Sequence, residues 1–127
     1  MNEHNIQRLL VAWFRDRYPD LAPVFFAIPA GGKRDKVTAA RLKAEGALPG
    51  VPDLLLASPR GGRAGLFLEL KTAVGSVSKA QRERQAALAA QGYAVEVAKG
   101  YEAAKAAVTN YLGQGDLLTE RGRDHAV

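Results

Sequence analysis

The chain has no cysteine, which excludes disulfides, thiolate zinc sites, iron–sulfur clusters and cysteine nucleophiles. It also lacks any apolar run approaching the ~20 residues of a membrane span. Its first residues, MNEHNIQRLL, do not follow the basic-then-apolar plan of a signal peptide. The expected compartment is therefore the cytoplasm, with no membrane partner. Aromatic residues are few, 7% of the chain with one Trp, yet 47% of the 127 residues are hydrophobic. A single domain of this length buries roughly two-thirds of its unfolded surface, enough for one core without a structural metal. No internal repeat, low-complexity block or interdomain linker interrupts it.

The net charge is +5, and it is unevenly placed. Residues 32–84 carry 11 Lys+Arg against five Asp+Glu, whereas the remainder is slightly acidic. A basic segment of this kind is the electrostatic footprint of a nucleic-acid binder, and equally of a lysine-rich soluble surface.

Ile6, Leu9, Leu10, Trp13, Phe14 and Tyr18 recur at the spacing of one helical face, so the pattern predicts a helix over Glu3–Tyr18, ended by Pro19. VFFAIP at 24–29 predicts a short strand, followed by the basic loop AGGKR. Residues 36–45 are helix-prone, with Asp35 at the N-cap and Gly46 as the stop. After the PGVP turn at 49–52, DLLLA (53–57) and GLFLELK (65–71) predict a hairpin joined by SPRGGRA. A helix follows from Ser78, entered through the capping box Ser78/Gln81 and left at Gly92. YAVEVA (93–98) alternates as a strand, and Tyr101–Leu112 predicts a last amphipathic helix. Residues 113–127, polar and aperiodic, read as a disordered tail beyond a 1–112 domain. The order predicts an α/β fold around a four-stranded mixed sheet flanked by helices.

Chemistry is concentrated in a few central charges. Glu69 and Lys71 lie two apart on one strand and share a face, with Leu68 and Leu70 facing the core. Asp53 joins them only in a hairpin register that pairs it with one of the two, because a one-residue slip reverses every side chain. Two carboxylates meeting at a strand end make a hard oxygen site suited to Mg²⁺ or Mn²⁺. A neighbouring ammonium suits phosphodiester hydrolysis. The same residues admit a plainer account, in which Asp53 is a turn residue and Glu69 and Lys71 form a surface pair on an edge strand.

The ordered segments resemble a known family. Glu3-x-x-x-Gln7, IPAGGKR, RLKAEGALPGVPDLLLA, GLFLELK, the run Gly75-x-x-Ser78-x-x-Gln81 and QGYAVEVAKGYEAA together resemble the virus-type replication-repair nuclease domain, VRR-NUC, of the PD-(D/E)XK nuclease superfamily. The resemblance implies a single-domain restriction-endonuclease-like fold. It implies Asp53, Glu69 and the Leu70 carbonyl as ligands of Mg²⁺ or Mn²⁺, with Glu3 completing the acidic cluster directly or through water. Lys71 is then the catalytic lysine, and Gln81 supports it or the attacking water. Family members commonly carry Asn where this chain has Ala30.

Glu3 also complements a helix dipole, and Gln81 is already accounted for by the capping box, so both keep a local explanation. Lys33, Arg34, Lys36, Arg41 and Lys43 before the Asp53 turn, and Lys79 and Arg82 after Lys71, are the expected contacts to DNA phosphates. The resulting expectation is a metal-dependent endonuclease of a phage or bacterium. It would act on branched, flapped or Holliday-junction DNA in replication, repair or recombination, as a homodimer that makes paired cuts. The alternative is a catalytically silent, structure-selective DNA-binding module.

Overall fold

A computed structural model describes residues 1–29 and 36–115. The loop around Ala30, Lys33 and Arg34, the Asp35 cap, and positions 116–127 of the expected tail lie outside the described residues. Four strands form one sheet in the order β1 (Phe25–Ala27), β2 (Leu54–Leu56), β3 (Leu66–Lys71), β4 (Ala94–Lys99). The first two pairings are antiparallel and β3 with β4 is parallel, which makes the sheet mixed, as expected. A parallel pair needs a long crossover, and α3 (Lys79–Ala90) supplies it, packing against β4.

Helix α1 (Glu3–Arg17) begins where the Asn2 side chain accepts a hydrogen bond from the Asn5 amide at 2.8 Å, satisfying one of the free donors of the first turn. Its Ile6, Leu10 and Phe14 are buried, but Leu9 is 37% exposed, so the apolar stripe is narrower than its periodicity suggests. The helix stops at Tyr18, and Pro19–Val24 continues as a 3₁₀ turn that the apolar pattern does not reveal. Helix α4 (Tyr101–Leu112) contributes Ala104, Val108 and Tyr111 to the same core. Against these two helices lie Phe25, Leu54, Leu56, Leu66, Leu68, Leu70 and Ala98 of the sheet, each fully buried aliphatic side chain worth roughly 1.5–3 kcal/mol. The Tyr111 hydroxyl donates to the Ser58 carbonyl at 2.7 Å, tying α4 to the end of β2.

The hairpin loop between β2 and β3 narrows to a bridge between Arg60 and Arg63. Gly61 and Gly62 at its tip have φ of 55° and 81°, the left-handed pair that a tight hairpin turn requires. Helix α2 (Lys36–Ala44) buries no residue and leaves Lys36, Arg41 and Lys43 exposed.

The PGVP turn is seated on the first turn of α3. Gly50 has φ of 79°, and a Cβ there would overlap the Ala80 carbonyl and crowd the Gln81 amide. Gly50→Ala therefore combines a left-handed backbone penalty with a backbone clash, and is expected to cost at least about 2 kcal/mol. A lowered urea midpoint at unchanged slope would register it; an unchanged midpoint would show that the turn yields freely.

Candidate active site

Because Leu54 pairs with Leu68, the ladder places Asp53 opposite Glu69. This is the register that the chemistry requires. Leu66, Leu68 and Leu70 face the core, so Phe67, Glu69 and Lys71 project from the other face of β3. The surface-pair account fails here: β3 is an interior strand, Glu69 is 2% exposed and Lys71 9%.

Asp53 sits one residue before β2, where its carbonyl still accepts from the Ile28 amide at 2.8 Å on the β1 side. Its Oδ2 accepts a hydrogen bond from the Leu70 amide at 2.7 Å. The N–H and C=O of one strand residue point to the same side, so the Leu70 carbonyl also faces the Asp53 side. The Asp53 carboxyl group lies close enough to Glu69 for a hydrogen bond to link the two when one of them is protonated. Burial, that hydrogen bond and the Asp53 charge push Glu69 from 4.5 up to about 8, with Glu3 adding to the rise and Lys71 opposing it. At neutral pH the pair holds a proton between two carboxyl groups that cannot both ionise cheaply. The buried Glu69 Oε1 has no hydrogen-bond partner.

Glu3 is exposed at the start of α1, close enough for its charge to act on Glu69. Among the described residues, no three His, Asp or Glu side chains converge at metal-ligating spacing. Gln81 forms the capping box with Ser78: its Oε1 accepts from the Ser78 amide at 2.9 Å, while the Ser78 hydroxyl accepts from the Gln81 amide at 3.1 Å. Only its NH₂ group remains for another partner. Lys79 and Arg82 are exposed at the start of α3, where Lys79 pairs with Glu83 at 3.8 Å and Arg82 donates to the Val77 carbonyl at 2.9 Å. Lys33 and Arg34 lie outside the described residues.

The sheet brings together Asp53, Glu69, Leu70 and Lys71, with Glu3 as an electrostatic neighbour. Residues 1–102 match the VRR-NUC domain family. The chain belongs to the VRR-NUC family. A solved structure described as a VRR_NUC domain protein is 29% identical, covering 91% of this chain and 92% of its own, with a TM-score of 0.81. None of the curated proteins compared with the chain matches it. The VRR-NUC domain implies a nuclease-type, DNA-processing function, and with it DNA binding. No helix among the described residues is long and apolar enough to cross a membrane.

Lys99 went unremarked in the sequence. It lies directly beside Lys71 in the β3–β4 register, on the same face. Only the parallel pairing reveals it, because that pairing joins segments separated by a whole helix. The outer side of α1, by contrast, forms an open groove of about 400 Å³ lined by His4, Gln7, Arg8 and Arg15, which contains none of the carboxylates.

Proposed function

We propose that this VRR-NUC domain is a Mg²⁺- or Mn²⁺-dependent endonuclease that hydrolyses phosphodiester bonds in branched, junction or flapped DNA during replication, repair or recombination. The observation that carries this reading is the convergence of Asp53, Glu69 and Lys71 at one strand end, with two of the three buried. The donor set fits a hard divalent cation. Glu69 is a buried carboxyl group with an unpartnered oxygen, pushed up to about 8 by burial and then by the neighbouring Asp53 carboxyl, and a nearby cation relieves both penalties.

Asp53, Glu69 and the Leu70 carbonyl would hold the ion, with Glu3 reaching it through water. When bound, the ion polarises a phosphoryl oxygen and acidifies a coordinated water. To serve as a ligand Glu69 would have to release its proton to solvent. Lys71, buried and in no ion pair among the described residues, directs its ammonium group to the attacking water and to the negative charge that builds on the phosphate. The NH₂ group of Gln81 supports that water or Lys71. Lys36, Arg41, Lys43, Lys79 and Arg82, together with Lys33 and Arg34, hold phosphates without reading bases. Two copies of the 1–112 unit, related by a two-fold axis, would present two active edges to a symmetric junction.

The test is incubation of the full chain with Mg²⁺ or Mn²⁺ and labelled four-way junction, flap, nicked and linear DNAs, after checking that the protein sediments at about twice the chain mass. Cleavage is expected on the branched substrates. Tight binding without turnover under either metal would establish a silent binding module instead, and a monomer at micromolar protein would remove the dimer.

A further inference from the structure

We propose that Lys99 forms a second phosphate-binding position beside the active centre, taking a non-bridging oxygen of the DNA backbone next to the phosphate that is cut. This rests on the nuclease reading above. Lys71 and Lys99 are in-register neighbours on adjacent parallel strands, which places their backbones about 4.8 Å apart and their side chains on one face. Two like charges side by side on a sheet are destabilising by themselves, and an anion held between the two ammonium groups reverses the sign of that interaction.

The acidic residues near Lys99 in sequence do not neutralise it. Glu96 is three residues back and projects from the opposite face of β4, and Glu102 pairs with Lys105 at 3.2 Å. Among the described residues Lys99 is in no ion pair. Its strand end is nevertheless fixed, because the Gly100 amide donates to the Lys71 carbonyl at 2.9 Å. The two lysines differ in exposure. Lys71 is buried next to Glu69, whereas Lys99 is exposed. The buried one is suited to the reacting centre and the exposed one to a phosphate approaching from solvent, and both stand on the face that carries Asp53 and Glu69.

The experiment measures binding of the full chain to a fluorescent four-way junction in chelator across a salt series, then steady-state cleavage of that junction with Mg²⁺. Lys99→Ala is expected to weaken binding about 5–10-fold and to lower the slope of log K against log salt by about 0.9, one phosphate contact. KM should rise with kcat within about two-fold, and Lys99→Arg should restore binding. Lys105→Ala, which removes a lysine paired with Glu102, should leave both quantities unchanged. Binding and slope unaltered in Lys99→Ala, with the parent protein binding DNA, would overturn this assignment and leave the nuclease reading standing. Failure of the parent to bind DNA at all would overturn both.

Discussion

Asp53→Asn is expected to reduce DNA cleavage by at least about 10³-fold with little change in stability. The amide oxygen of Asn can still accept the hydrogen bond that the Leu70 amide donates to Oδ2 at 2.7 Å, so the end of β3 keeps its partner and no buried donor is orphaned. The charge alone is lost. A site of two carboxyl groups becomes a site of one, and the several kcal/mol of transition-state stabilisation that a cation at the proposed site would supply goes with it, at about 1.4 kcal/mol per tenfold in rate.

Lys71→Ala should act differently. It leaves the oxygen donors in place but removes the ammonium group beside Glu69, for an expected loss of about 10²–10³ in kcat with KM near that of the parent. Cleavage of a labelled junction under single-turnover conditions, with circular dichroism melting as the folding control, checks both. Equal residual cleavage in the two variants would expose a contaminating nuclease. Full activity in either would remove that residue from the mechanism.

The helices were legible because they announce themselves locally. Ile6, Leu10 and Phe14 recur at helical spacing, and Ser78 with Gln81 closes a capping box that is present in the structure as written. The hairpin was legible as far as its condition: Asp53 can reach the site only opposite Glu69 or Lys71, and the pairing of Leu54 with Leu68 meets that condition. A single strand sequence does not report its neighbours, however, so LFLELK, with two charges in six residues, reads as readily as a surface edge. Its burial on both faces depends on β4 arriving from beyond a crossover helix. For the same reason the in-register pair Lys71 and Lys99 could not be seen. The basic segment encloses Asp53, Glu69 and Lys71 in sequence, but charge along the chain does not report how deeply the central carboxyl group is buried.

That burial predicts an unusual pH dependence. In chelator, stability should fall as pH rises from about 5 to about 8, because over this window the folded chain retains on Glu69 a proton that the unfolded chain has released. The group titrates at about 8 when folded against 4.5 for the ordinary side chain. With more protons bound in the folded state, unfolding free energy must decrease with pH. The contribution is complete below about 4.5 and gone once pH passes the folded value. At most it falls by about 1.4 kcal/mol per pH unit, and one such unit lowers Tm by about 4–6 °C in a domain of this size.

Glu69→Gln keeps the shape and a donor toward Asp53 but does not titrate, so its Tm should be flat across the window and exceed that of the parent at pH 8. Addition of Mg²⁺ or Mn²⁺ at pH 8 should raise the parent's Tm, since an ion bound at the proposed site would stabilise the folded chain by mass action and take the proton's place between the two carboxyl groups. The variant should gain much less. Parallel Tm profiles for parent and variant in chelator would place the titration elsewhere. A divalent ion that stabilises both equally would remove Glu69 from its coordination.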